Sequence, residues 1–297
     1  MSGDAPQARG TASARAALAG NPSDGYGGAV LAVTLDVLRA EAVAVPAQGQ
    51  QVDPPNPLVD AAIERFAREL EPAARSTAVR WRTDVPRGVG LGGSSAIVIA
   101  TLRALCGLHG VSVAPAELAS FALAVETEEL GIAAGLQDRV AQAYGGLTFM
   151  EFAPRQRYER LDPAGLPPLV VAWVSGAAQD SHPVHASLRS RFEDGAPGVA
   201  EAMRELAAVA RSGRDALLAS DHREFGRAVD ASFDIRNRVM ALESRHVALV
   251  HRARALGAHV NYTGSGGAIV AVCRHGGHAR EVASELGAGG YGTLSVP

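Results

Sequence analysis

The chain has 297 residues, of which 47% are hydrophobic, and we expect it to bury a full core divided between two domains. Its formal net charge is −3 and its pI is near 6.3, which argues against nucleic acid as its main partner. No apolar run approaches the roughly 18 residues that a membrane span needs, and all 28 basic residues are arginine.

The N-terminal half predicts a mixture of strands and helices. Residues 1–12 are small and polar without the apolar core of a signal peptide, and we expect them to be disordered. The apolar stretch Ala14–Leu18 leads into a dense turn signal that begins at Gly20. Further along, the patterns predict strands at 29–37, 41–45, 77–82 and 147–152, and helices at about 56–71, 95–107, 115–130 and 136–144.

The segment Pro154–Pro168 is charged and rich in proline, and it marks a predicted domain boundary. We therefore expect one domain over 13–165 and a second over 166–297. The second domain predicts a buried strand at 169–174, a long helical region at 183–256, strands at 260–263 and 268–273, a helix at 276–286 and a strand at 291–296. This order of elements predicts an α+β fold.

The two cysteines, Cys106 and Cys273, each lie in an apolar segment. Two isolated cysteines do not make a disulfide framework, and they predict reduced core residues of a cytoplasmic protein.

The stretch Pro86–Ala96 carries a cluster of glycines, followed by two serines and an apolar run that predicts a helix. Glycine lets the backbone adopt positive φ and come close to a ligand, and N–H groups at a helix start favour an anion. The stretch therefore predicts a phosphate-binding loop, although a plain turn with a serine cap explains it equally well. It has neither the Lys of a Walker A loop nor the spacing of a dinucleotide fingerprint.

Two carboxylates follow this loop. Glu126 lies on one predicted helix and Asp138 at the start of the next. One could hold Mg²⁺, which prefers hard oxygen ligands, and the other could take a proton from an attacking hydroxyl. The segment alone favours the alternative, in which Glu126, Glu128 and Glu129 form a solvated helix face and Asp138 caps a helix.

A second glycine-rich stretch, Asn261–Ala268, lies between two predicted strands. Its backbone N–H groups and the hydroxyls of Thr263 and Ser265 could donate to phosphates, whereas the simpler interpretation is a strand-to-strand turn. Two such loops and a carboxylate pair together indicate a nucleoside triphosphate and a transferable phosphoryl group.

The N-terminal turn adds polar side chains suited to a polyhydroxylated substrate, with ordinary turn formation as the alternative. They are Arg15, Asn21, Ser23, Asp24 and Tyr26. An arginine here could also stabilise charge on a transferring phosphoryl group.

Three motifs, in this order, resemble those of the GHMP kinase superfamily: Ala14–Asp24, Pro86–Ala96 and Thr263–Gly267. The resemblance implies a small-molecule kinase that depends on ATP and Mg²⁺. It also implies a ribosomal-S5-like N-terminal domain, a ferredoxin-like C-terminal domain and an active-site cleft between them.

The resemblance implies a role for each matching residue. Ser95 and Glu126 would hold Mg²⁺, Asp138 would be the base, and Arg15 would be the catalytic basic residue. Ser94 is left to cap the helix or donate to phosphate. The residues expected at ATP are Gly88, Gly90, Leu91, Gly92, Gly93, Ser94, Ser95, Ala96, Thr263, Gly264, Ser265 and Gly266.

A narrower resemblance is to the glucuronokinases, carried by the first motif, by Gly93–Ile97, by Asp180–Phe192 and by Phe233–Arg236. It implies phosphorylation of the anomeric hydroxyl of glucuronate or a related sugar. His182 and Pro183 depart from the Gly-Lys type pair of the plant enzymes. The residues expected at the substrate are Asn21, Ser23, Asp24, Tyr26, Asp138, Ser181 and Arg189.

A uronate carboxylate would favour arginine, whose guanidinium binds it bidentately, and Arg189, Arg191 and Arg236 are the candidates. The alternatives are a kinase for another alcohol, such as a heptose, a galactose-type sugar or mevalonate, and a sugar sensor without catalysis. We expect a monomer or homodimer in the cytoplasm whose partners are ATP and a small sugar or uronic acid, with no nucleic acid and no membrane.

Overall fold

A computed structural model gives the fold and describes residues 6–174, 176 and 182–296. The strands are β1 (Ala8–Ala19), β2 (Ala29–Pro46), β3 (Gln51–Asp53), β4 (Thr77–Thr83), β5 (Leu147–Glu151), β6 (Arg157–Leu161), β7 (Leu169–Trp173), β8 (His259–Tyr262), β9 (Ala268–Val272) and β10 (Gly292–Val296). The helices are α1 (Pro57–Glu69), α2 (Gly93–His109), α3 (Pro115–Ala124), α4 (Gln137–Tyr144), α5 (His182–Glu193), α6 (Val199–Leu218), α7 (His222–Val239), α8 (Ser244–Ala255) and α9 (Gly276–Ala288).

The chain divides into two compact units, each made of non-consecutive segments. The first unit contains the residues up to Ala14 together with 35–85 and 92–145, and the second contains 15–34, 86–91 and the residues from Gly146 onward. The consecutive domains predicted at 13–165 and 166–297 are a different division of the chain, and they stay a prediction.

In the first unit, β4 pairs antiparallel with the Ala40–Pro46 part of β2 and parallel with β3. Helix α1 begins after Asn56, whose side chain accepts the N–H of Leu58, as expected of a cap. Helix α2 is buried at every residue from Ser95 to Leu102. A helix that is apolar all round packs on all sides, and this packing fixes the position of its N-terminus.

The prediction that residues 1–12 are disordered is wrong for Ala8–Ala12, because β1 begins at Ala8. A Cβ on Gly10 would lie 2.0 Å from the carbonyl oxygen of Ala100, so only glycine lets the strand approach α2 this closely. Arg103 of α2 also donates to the carbonyl of Thr11 at 2.6 Å. The small side chains that suggested disorder allow this contact.

In the second unit, a four-stranded antiparallel sheet has the order β10-β7-β9-β8. Its apolar face packs with side chains of α7, α8 and α9 in one buried cluster that includes Phe233, Leu249 and Val282. Strand β5 pairs antiparallel with the Ala29–Val33 part of β2 and with β6. The turn from β8 to β9 is the second glycine-rich stretch, which this sheet holds at its edge.

Several elements differ in extent from the predictions. The strands predicted at 29–37 and 41–45 are one continuous β2, which also includes the three residues between them. The helix predicted at 115–130 is regular only to Ala124 and continues as a wider π turn, Val125–Glu129. The region predicted as helical at 183–256 consists of α5 to α8, and the proline-rich segment contains the unpredicted β6.

Cys106 and Cys273 are both unpaired. Burial raises the pKa of the Cys273 thiol to about 11, which keeps it protonated and unreactive. None of the described helices is both long and apolar enough to cross a bilayer.

Candidate active site

The first glycine-rich loop depends on backbone conformations that glycine favours. Gly88, Gly90 and Gly92 have φ angles of 67°, 76° and 72°, in the region where a Cβ is unfavourable. Gly92 is the N-cap of α2, and no side chain caps this helix. The expectation that Ser94 caps the helix is therefore wrong, because the helix begins at Gly93, two residues before the predicted start at Ser95, and Ser94 is exposed in its first turn.

The serine expected at Mg²⁺ lies deeper in the same turn. Ser95 is fully buried, and its hydroxyl donates to the carbonyl of Gly92 at 3.1 Å. Gln142 of α4, which the sequence did not single out, donates to the same carbonyl at 2.8 Å and to that of Ser13 at 2.9 Å. Two side chains, those of Ser95 and Gln142, thus fix the carbonyl at the start of α2. Ala96, the next residue of the helix, is also buried.

The second unit brings the two glycine-rich stretches together at Arg15. This side chain is 3% exposed, and its Nη1 donates to the carbonyls of Gly90 at 2.7 Å and Thr263 at 2.8 Å. Its backbone N–H donates to the carbonyl of Leu91 at 3.0 Å. Arg15 therefore holds both loops, and its predicted role at the transferring phosphoryl group stays a prediction.

Contact between the two loops also depends on small residues. A Cβ on Gly264 would lie 2.4 Å from the carbonyl oxygen of Gly90, and one on Gly90 would lie 2.8 Å from that of Gly266. We expected the Thr263 hydroxyl to donate to a phosphate, but in the structure it donates to the carbonyl of Gly90 at 2.9 Å. Ser265 is partly exposed, and it and the loop N–H groups are the donors that fit a phosphate.

The N-terminal turn packs beside β8 in the same unit. Asn21 is buried, donates to the carbonyl of Tyr262 at 3.4 Å and accepts from Asn261 at 3.2 Å. The hydroxyl of Ser23 donates to the carbonyl of Ala29 at 2.9 Å within the turn, which leaves it poorly placed for the predicted substrate contact. Asp24 is partly exposed, and so its carboxylate is within reach of a ligand.

The remaining candidates of the second unit lie on or near α5. The Tyr26 ring lies 4.6 Å from that of Phe192, and burial raises the pKa of Tyr26 while the nearby Arg189 opposes this effect. Arg189 is exposed, and Arg191 donates to the carbonyl of Val239 at 2.6 Å. Ser181 lies outside the described residues. These contacts place Arg189 near the polar turn and assign Arg191 to packing between helices.

Arg236 of α7 is fully buried, and its Nη2 donates to the carbonyl of Gly264 at 2.8 Å. Its guanidinium lies over the ring of Tyr262, 5.3 Å from the centroid. Burial lowers the pKa of Arg236 to about 10, and the nearby positive charge of Arg15 acts in the same direction. Burial also raises the pKa of the Tyr262 hydroxyl, which has no hydrogen-bond partner in the described structure.

In the first unit, Glu126 lies on the π turn with no exposed surface, so the alternative of a solvated face is wrong for this residue. Its Oε2 accepts from Nε of Arg139 at 2.8 Å and also from Nη2. The same guanidinium donates to the carbonyl of Gly135 at 2.8 Å, and Nη1 lies 3.8 Å from Oδ2 of Asp138. Arg139 thus links the two carboxylates. This residue was not identified from the sequence, and the one local signal for it is its position directly after Asp138.

The neighbouring carboxylates behave as a surface face. Glu128 and Glu129 form ion pairs with Arg65, and Glu129 also pairs with Arg68. The side chain of Glu128 is 65% exposed. The solvated-face interpretation therefore holds for these two residues and fails only where the π turn directs Glu126 inward.

The residues fit the hard-oxygen chemistry of Mg²⁺. Oε1 of Glu126 is buried and accepts no hydrogen bond from the described residues, and the Ser95 hydroxyl is a second oxygen donor. Within the same residues no cluster of three or more His, Cys, Asp or Glu side chains could hold a metal. Mg²⁺ would therefore need phosphate oxygens and water as its other ligands, as is common for this ion.

Known proteins of one family are similar to this chain. Residues 57–146 match the model of the GHMP kinases N terminal domain, and residues 214–292 match that of the GHMP kinases C terminal. In Arabidopsis thaliana, Glucuronokinase 1 is 39% identical over 212 residues and Probable glucuronokinase 2 is 38% identical over 209. Each alignment covers 66% of this chain and 57% of the relative, so the chain spans little more than half their length.

Among solved structures, L. major mevalonate kinase in complex with R-mevalonate superposes with a TM-score of 0.77 at 18% identity, covering 94% of this chain and 91% of that one. Similarity at this identity shows the fold alone. It confirms the expected α+β architecture with its N-terminal and C-terminal domain types. The chain belongs to the GHMP kinase family.

Proposed function

We propose that the protein is an ATP-dependent sugar kinase that phosphorylates the anomeric hydroxyl of glucuronate or a related sugar. The observation that carries the proposal is the contact of two glycine-rich loops at Arg15, which is the arrangement expected of a site for several phosphates. The similarity to glucuronokinases supports the choice of sugar.

The loops and the start of α2 would bind the nucleotide. The N–H groups of Gly93, Ser94 and Ser95 belong to the first turn of α2, where N–H groups have no acceptor within the helix. We assign these groups and the partly exposed Ser265 to the phosphates of ATP. Glu126 and Ser95 would hold Mg²⁺, which would supply positive charge to offset the negative charge of the phosphates.

Asp138 would act on the acceptor. The sugar hydroxyl oxygen attacks the γ-phosphorus, the bond from that phosphorus to the bridging oxygen of ADP breaks, and the hydroxyl proton passes to Asp138. An anomeric hydroxyl is more acidic than an ordinary alcohol, so a carboxylate is a sufficient base. Arg139 holds one side of this carboxylate and would keep it oriented.

The polar N-terminal turn would bind the sugar. Asn21 anchors the turn, while Asp24 and Tyr26 are partly exposed and can reach sugar hydroxyls. Such a polar surface suits a polyhydroxylated acceptor better than mevalonate. The need for ATP and the two unpaired cysteines favour a cytoplasmic location, and a monomer or homodimer stays our expectation.

A panel of uronic acids, neutral aldoses, heptoses and mevalonate in an ATP-consumption assay tests the proposal. We expect ATP consumption with glucuronate or a close relative, and a phosphorus NMR signal from phosphate on an anomeric carbon. The Asp138→Asn variant should bind nucleotide with nearly unchanged affinity while its turnover falls strongly. Consumption with mevalonate alone would contradict the proposal, as would tight binding of sugar and ATP by the wild-type protein without product.

A further inference from the structure

Arg236 is a buried cation whose hydrogen bonding is incomplete. One nitrogen, Nη2, donates to the carbonyl of Gly264, whereas Nε and Nη1 are buried and have no hydrogen-bond partner in the described part of the chain. No carboxylate of the described residues forms an ion pair with Arg236. The buried Arg139, in contrast, donates from all three nitrogens and pairs with Glu126.

This arrangement is unfavourable for the fold by itself. A buried charge without a counter-ion is costly, and a second buried arginine, Arg15, lies near enough to add repulsion. Native proteins leave few buried polar groups unsatisfied, and such groups concentrate at functional sites. The missing partner of Arg236 therefore has a defined chemistry, which is that of an anion.

The surroundings of Arg236 suit an acidic sugar. Tyr262 lies against Arg236, and its hydroxyl is buried without a hydrogen-bond partner among the described residues. His246 lies beside Tyr262, with ring centroids 6.4 Å apart, and its Nε2 is 3.7 Å from a carboxylate oxygen of Glu243. Asp24 of the polar turn is close enough to act on the charge of Arg236, and it is partly exposed. A cation, unpaired polar atoms and a nearby carboxylate match a ligand with one carboxylate and several hydroxyls.

We propose that Arg236 is the specificity-determining residue of the acceptor site and binds the carboxylate of a uronate. This inference rests on the proposed sugar-kinase function and assigns the acidic group of its substrate to one side chain. Arg189 is exposed and Arg191 is engaged with Val239, so of the three arginine candidates Arg236 combines burial with unused donors.

The test compares Arg236→Met with Arg238→Met. Arg238 lies on the same helix, is 54% exposed and pairs with Glu205 at the surface, so its variant is a matched control. For each protein, kcat and KM are measured with glucuronate, with glucose (which has a neutral hydroxymethyl group instead of the carboxylate) and with ATP. We expect Arg236→Met to raise the KM for glucuronate about 10- to 100-fold, as loss of a charged hydrogen bond does. The values for glucose and ATP should change less than threefold, and the control should match wild type.

The melting temperature separates this role from a structural one. Because Arg236→Met removes an unpaired buried charge, we expect it to melt within a few degrees of wild type. If it does not fold, Arg236→Lys, which keeps the charge and loses the planar fork, should still raise the KM for glucuronate at least severalfold without affecting ATP.

Failure of this inference and failure of the proposed function give different results. A wild-type protein that phosphorylates glucuronate while the folded Arg236 variant keeps the same preference over glucose overturns this inference alone. So does an equal loss with both sugars, or a loss confined to ATP. A wild-type protein that phosphorylates no uronate refutes the proposed uronate kinase, and the role of Arg236 falls with it.

Discussion

Replacement of Arg139 by methionine should destabilise the protein far more than replacement of a surface arginine. The side chains of Arg139 and Glu126 are 4% and 0% exposed, and the variant leaves Glu126 as a buried carboxylate without its counter-charge. Breaking a buried pair in this way costs about 3–5 kcal/mol, whereas an exposed pair contributes about 0–1 kcal/mol. At about 2 °C for each kcal/mol in a large domain, the melting temperature should fall by about 6–10 °C.

Urea unfolding followed by far-UV circular dichroism measures this difference. Arg204→Met is the control, because Arg204 pairs with Glu201 at the surface with side chains 69% and 60% exposed. The double variant Glu126→Leu/Arg139→Met should recover most of the lost stability, since no unpaired buried charge remains. The reasoning fails if the free energy of unfolding of Arg139→Met lies within about 1 kcal/mol of the control value. It also fails if the double variant is as unstable as the single one.

Three further predictions concern catalysis, the loop contact and pH. Asp138→Asn should lower kcat more than tenfold, at least about 1.4 kcal/mol of barrier, with ATP affinity nearly unchanged by nucleotide titration; a smaller fall means that another group is the base. Gly264→Ala places a Cβ 2.4 Å from a backbone oxygen, so it should raise the KM for ATP and lower the melting temperature, whereas Gly49→Ala, with nothing within 4 Å, should change neither. The hydrogen bond from Arg68 lowers the pKa of Glu129, so this pair stabilises the fold at neutral pH and the effect is lost as pH falls through the lowered value. Arg68→Gln should therefore lower the melting temperature at about pH 7, where the carboxylate is ionised, and leave it unchanged at about pH 2, where the carboxyl group is protonated. An equal loss at both pH values contradicts the linkage.

The sequence could locate the glycine-rich loops because their conformation is encoded locally. Gly88, Gly90 and Gly92 all adopt positive φ, which few other residues tolerate, and an apolar run follows them. The helix start was displaced by two residues because Gly92, rather than a serine, caps it. Strands β7 to β10 and helix α9 were predictable because their apolar periodicity is also local in the sequence, whereas the boundaries between helices α5 to α8 were not predicted.

Partners that are distant in sequence could not be predicted. Arg15 donates to carbonyls 75 and 248 positions away, and Glu126 meets Arg139 because a π turn directs it inward. No local pattern encodes which carbonyl or carboxylate a guanidinium will reach after folding. The same limit applies to Ala8–Ala12, where small residues indicate disorder unless the neighbouring helix is known.

The buried Arg15 of the second unit explains how the loops can present donors to an anion. Its guanidinium binds the carbonyls of Gly90 and Thr263. In a planar trans peptide the C=O and the following N–H point in opposite directions. Drawing these two carbonyls toward the guanidinium therefore directs the N–H groups of the next residues away from it. An arginine at this position thus contributes through the peptide dipoles it orients as well as through its own charge, and a lysine could supply the charge without the planar fork that fixes the orientation.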